Sequence, residues 1–162
     1  MENIESRYDA FLEQENRVNR KKMVDTRVHA CLYFIAPTGH SLKPVDVQFM
    51  KQLHQKVNLI PVIAKSDALT EEEMMRFKDQ IMADLQQYQI QIFRPSVSEL
   101  DDAETIEETK EILSRIPFAV VGSTKEIDLG NGRRVRGRKY PWGVIEGGFL
   151  RKCLRSRALI LY

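Results

Sequence analysis

The sequence predicts an α/β fold: a partial parallel sheet with helices on both faces, followed by an antiparallel hairpin near the C-terminal end. Three observations predict it. Two nearly continuous apolar runs, RVHACLYFI (27–35) and NLIPVIA (58–64), are rich in β-branched and aromatic residues, the pattern of strands buried on both faces. Between and after them, apolar residues recur every three or four positions, the period of a helix with one buried face. Beyond Lys125, short alternating segments flank LGNG (129–132), a hairpin signal. Strands that alternate with helices imply a doubly wound sheet, whose ligands bind beyond the carboxyl ends of its strands.

Taken in order, residues 3–22 read as a helix with Ile4, Tyr8, Phe11, Leu12 and Val18 on one face. The strand 27–35 follows, then a loop punctuated by Pro37, Gly39 and Pro44. Pro44 suits the first turn of a helix, where an amide proton is not needed. Val45, Phe49, Leu53 and Val57 are its expected buried stripe. After the strand 58–64, Thr70 and Glu73 stand in capping-box spacing and open a helix that buries Met74, Phe77, Ile81 and Leu85. IQIF (90–93) reads as a short strand. Residues 98–116 run from acidic to basic, the order that complements a helix dipole, so a loop leads there into a helix. FAVVG (118–122) is another buried strand, and 126–146 is the hairpin. The tail 147–162 breaks the pattern and receives no assignment.

Composition narrows the function classes. The 162 residues are 43% hydrophobic and 30% charged, with a formal net charge of +2. So near-neutral a balance gives no broad attraction to nucleic acid or to a membrane surface. The first ten residues are polar and amphipathic, unlike a secretory leader. Cys31 and Cys153 lack any C-x-x-C spacing, which disfavours zinc and disulfides and points to a reducing compartment.

One stretch carries chemistry. In VIAKSDAL (62–69) an apolar strand ends in Lys65 and Asp67. A guanine ring offers two donors on one edge, and a single carboxylate can accept both. A lysine stem can lie across the flat base or brace the loop. AKSD (64–67) fits the [NTA]-K-x-D spacing of guanine-nucleotide-binding proteins. Taken alone, the same four residues are a weak pattern and read first as a charged surface turn.

The context is more specific. The run from Val24 to Thr70, which includes GHSLKP (39–44), then PFAVVGS (117–123), then GRRVRGRKYPWGVIE (132–146) resemble the septin GTPase domain. The resemblance covers about residues 2–146, and 133–146 is similar to the start of the septin unique element. It implies that Lys65 and Asp67 read guanine, within a turn that includes Ser66 and Ala68. It implies that Gly122 and Ser123 lie beside the base and that Arg138 stacks or packs against it. His40, Glu73 and Trp142 would face a neighbouring subunit. GTP or GDP, with Mg²⁺ in the parent family, would be the ligand. Other septins would be the partners, in cytoplasmic filaments at the cell cortex or division site that associate with membrane indirectly. Each of these residues also has a plainer reading. His40 reads as a surface histidine, Glu73 as a helix cap, Trp142 as filling, and Arg138 as part of a solvated basic face. The RRVRGRK cluster could touch phosphate backbones, but it has no interleaved aromatics, so no nucleic-acid partner is assigned.

The departures matter as well. No G-x-x-x-x-G-K-[ST] phosphate cradle and no D-x-x-G occur in these residues. The chain therefore reads as the base-binding half of a G domain, weak in nucleotide affinity and inactive in hydrolysis by itself. Two alternatives stay open: a nucleotide-free septin-like interaction module, and a piece of a full GTPase whose first half lies elsewhere.

Overall fold

The computed structural model describes residues 2–17, 23–96, 102–129 and 134–146. Its elements are α1 (Glu2–Glu15), β1 (Ala30–Ile35), α2 (Pro44–Leu53), β2 (Asn58–Ile63), a 3-10 turn (Ser66–Ala68), α3 (Glu71–Gln87), α4 (Ala103–Arg115), β3 (Phe118–Ala119), β4 (Glu126–Asp128), β5 (Arg134–Tyr140) and β6 (Gly143–Glu146). Strands β1–β2–β3 form a parallel sheet, and β4–β5–β6 form a separate antiparallel one. The expected α/β class therefore stands.

The main core lies on one face of the parallel sheet. Side chains alternate across a strand, so Ile35, Leu59 and Ile63 share that face, where they meet Val47 and Met50 of α2 and Met74, Phe77, Ile81 and Leu85 of α3. The other face carries a smaller cluster, Val62, Phe118 and Val120, flanked by Ile60 and Ile116. Helix α3 begins with the expected capping box: Thr70 Oγ1 accepts the Glu73 amide at 3.3 Å, and Glu73 Oε2 accepts the Thr70 amide at 2.8 Å. Its end is a Schellman motif. The amide of Ile90 donates to Leu85 O at 2.9 Å and that of Gln89 to Gln86 O at 3.1 Å, with Gln89 left-handed at φ 56.

β2 is central, yet it contains Pro61. The amides of Asn58 and Ala64 donate toward β1, to His29 O at 3.1 Å and Ile35 O at 2.9 Å. Even-numbered amides of β2 thus face β1, and the missing Pro61 proton faces the other side. There the β3 ladder begins only at Val62. Pro61 sits where no ladder bond is lost.

Several expectations are corrected. β1 is buried on one face rather than on both: Leu32 and Phe34 are exposed while Tyr33 and Ile35 turn toward the core. In α2 the buried residues are Val47 and Met50, three apart, and Val45 and Phe49 lie exposed. A run of every-fourth residues drifts around a helix with 3.6 residues per turn, so Leu53 reaches the protein while Val45 and Phe49 do not; Val57 is buried in the turn beyond the helix. Residues 90–93 form no strand; a single bond, Phe93 amide to Leu59 O at 2.8 Å, holds them beside β2. Helix α1 buries none of its residues. It leans on its surroundings through Tyr8 Oη, which donates to Val28 O at 3.1 Å, and through Arg27 stacked over Phe11. Val18 and residues 130–132 of the LGNG turn lie outside the described residues. The hairpin gains a third strand, because Pro141–Trp142 turn the chain back so that β6 pairs with β5.

Candidate functional site

The carboxyl ends of β2 and β3 are joined directly. Past Ile63 the chain enters the 3-10 turn, whose Ser66 amide donates to Val120 O at 3.1 Å. That bond sets Lys65–Ala68 alongside the segment that leads to Gly122 and Ser123. To make the turn, Lys65 adopts the left-handed region, φ 49 and ψ 48. A residue with a Cβ pays about 1 kcal/mol there, and such conformations concentrate at functional sites.

Side chains divide into open and closed groups. Lys65, Ala68 and Gly122 are exposed, and Ser66 is buried. A Cβ built on Gly122 would meet nothing within 4 Å, so the space beside it is open. Ser123 Oγ accepts the Lys125 amide at 3.1 Å. Asp67 is the closed member: its side chain has no solvent exposure. Arg138 Nη1, from β5, donates to both carboxylate oxygens at 3.1 Å. The Tyr140 hydroxyl donates to Oδ2 of the same group. The Arg138 guanidinium is held above its ordinary range, first by Tyr140 and then by Asp67, against a desolvation cost. Tyr140 in turn stacks on Trp142, ring centroids 4.8 Å apart and planes within 5°. β5 is seated tightly beside this contact. The Gly137 amide donates to Lys125 O at 3.1 Å, and a Cβ on Gly137 would fall 2.4 Å from Ile145 O.

The structure thus brings Asp67 and Arg138 together across 71 residues of chain. Of the residues expected at a subunit interface, Trp142 joins that cluster by stacking on Tyr140, whereas His40 and Glu73 lie on other parts of the chain. His40 is exposed in the loop after β1, past Gly39 at φ 73. That loop is pinned by Asp84 of α3, a buried carboxylate whose Oδ2 accepts the Leu42 amide at 2.8 Å and whose Oδ1 accepts from Gln80 at 3.2 Å. Glu73 performs the capping role described above, which its plainer reading anticipates. Trp142 is 69% exposed, so it fills no core within this chain. Sequence reasoning passed over Tyr140 and Asp84. Tyr140 stands two residues after Arg138 on an alternating strand, and that period places both on one face.

The septin family model matches residues 1–153. Cell division control protein 3 of Candida albicans is 58% identical over 146 residues, 90% of this chain and 35% of that protein. The Saccharomyces cerevisiae protein of the same name is 52% identical over 88% of this chain and 28% of its own length. The chain therefore spans about a third of the curated relatives it matches. Among solved structures, Cdc11 of Saccharomyces cerevisiae superposes with a TM-score of 0.60 at 35% identity, covering 83% of this chain and 59% of that one. A septin GTPase domain from Chlamydomonas reinhardtii superposes at 0.64 with 24% identity, a likeness of fold, over 89% of this chain and 52% of that one. The chain belongs to the septin family.

Proposed function

We propose that this chain is the guanine-recognising part of a septin nucleotide domain and works by assembling with other septins into filaments at the cell cortex and division site. One observation carries the reading. The Lys65–Ala68 turn at the carboxyl end of β2 is bonded to the segment after β3, and Arg138 reaches the same point from the antiparallel sheet. In this reading the Asp67 oxygens accept the two donors on the guanine edge, and Lys65 braces the turn or covers the base. The open space at Gly122 admits the ring. Ser66, Ala68 and Ser123 shape the rim. His40, Glu73 and Trp142 supply contacts to the neighbouring septin, and any membrane association comes through the filament. These 162 residues hold no G-x-x-x-x-G-K-[ST] cradle for the phosphates. Phosphate contacts supply charge-assisted bonds that base contacts do not replace, so GTP or GDP binds this chain weakly and is not hydrolysed by it. Magnesium is assigned no ligand here.

Calorimetric titration of GDP and GTP tests the reading, with Asp67→Asn in parallel. Weak guanine-nucleotide binding that Asp67→Asn removes, or turns toward xanthine nucleotides, is the expected result. Tight binding indifferent to Asp67 would sink it. A second reading, a septin interaction module that works without nucleotide, draws on the Asp67 carboxylate being already engaged by the protein's own donors.

A further inference from the structure

The Asp67 carboxylate is already occupied by donors of this chain. Arg138 Nη1 spans both carboxylate oxygens, and Tyr140 Oη adds a second donor at Oδ2. We infer that Arg138 and Tyr140 form an internal plug that competes with guanine for Asp67, so that a base can enter only when these two side chains swing aside. The inference rests on the reading of Asp67 as the base acceptor and adds a regulatory element to it.

Three features support the plug. The carboxylate has no exposed surface, so no ligand donor reaches it while the contact holds. Arg138 and Tyr140 are two residues apart on β5 and therefore project from the same face. Their backbone is fixed on both sides, by β4 through the Arg136–Glu126 pairing and by β6 through Arg138–Ile145, and the close approach at Gly137 leaves the strand no slack. Opening is thus a side-chain movement on a fixed strand. Arg138 retains 28% side-chain exposure, which gives it an outward path. The plug lowers apparent affinity by the fraction of molecules that are open.

Trp142 reports on the plug. It is the only tryptophan in the chain and it stacks on Tyr140. In the ligand-free chain, Asp67→Ala removes the anchor of Tyr140 and is expected to shift Trp142 emission. Unchanged emission would mean that the contact does not form in solution, and the plug is rejected whatever binds. With GDP as probe, Tyr140→Phe, checked for fold by circular dichroism, is expected to bind roughly threefold to tenfold more tightly than the parent chain. Equal or weaker binding overturns the plug. Adding Asp67→Asn to Tyr140→Phe separates the two ideas. If the gain disappears, Asp67 is the acceptor that the plug had covered. If the gain persists, the assignment of Asp67 as base reader fails instead.

Discussion

Asp84 offers the sharpest test of how the fold holds the loop that carries His40. Its carboxylate is buried and accepts two hydrogen bonds, from the Leu42 amide at 2.8 Å and from Gln80 at 3.2 Å. Asp84→Ala removes both. The Gln80 side chain is exposed enough to turn to water, so that loss is small. The Leu42 amide is different, because Leu42 is itself buried, and a buried donor left without an acceptor costs about 1–3 kcal/mol. Relief of the buried charge offsets part of this, which leaves a net loss of about 2 kcal/mol. Asp84→Asn keeps an acceptor for Leu42 but sets an amide nitrogen against the Gln80 donor, so about 1 kcal/mol is expected. Urea unfolding followed by circular dichroism measures both, and amide hydrogen exchange at Leu42 shows whether the loop is freed locally. A change below about 0.5 kcal/mol for Asp84→Ala, with Leu42 exchange unaltered, would refute the reasoning.

Three further outcomes are expected. Gln89 ends α3 in the left-handed region, so Gln89→Gly should raise stability by about 0.5–1 kcal/mol in urea unfolding; a loss would show that its side chain matters more than its backbone. Burial, followed by the hydrogen bond to Asp46, raises the Tyr33 hydroxyl from 10.0 to about 12. The folded state therefore keeps a proton that the unfolded state releases. Its contribution is complete below pH 10.0 and lost as the pH climbs to about 12, and Tyr33→Phe should flatten that part of the stability profile. Gly137→Ala places a methyl group against Ile145 O; β5 and β6 must separate, at a cost of about 2 kcal/mol, and Trp142 emission should change as Tyr140 leaves Asp67.

Much of this architecture is legible in the residues themselves. The alternation of strands and helices is visible because each run keeps one period for several turns or pleats. Thr70 and Glu73 name the start of α3 by chemistry alone. The site turn is legible for the same reason: a cation and a carboxylate directly after an apolar strand have few places to go. What escapes is decided by partners far along the chain. Whether β1 is buried on one face or two depends on its neighbours, not on its own run CLYFI. Val45 and Phe49 look like core residues because spacing cannot say where around α2 the sheet lies. IQIF has the composition of a strand, but β2 holds it by a single bond at Leu59. The engagement of Asp67 by Tyr140 spans 73 residues and leaves no local mark.

Pro61 has a consequence for what can stand at its position. On the side of β2 that looks away from β1, the β3 ladder begins only at Val62, and the earlier part lies beside residues 90–93 through the Phe93–Leu59 bond. Pro61 is fully buried there. Any other residue would bring an amide proton into a buried place ahead of the ladder, and a buried donor left without a partner costs about 1–3 kcal/mol. A residue that ordinarily weakens a central strand is here the one that spares it, and Pro61→Ala should show as a lower unfolding midpoint.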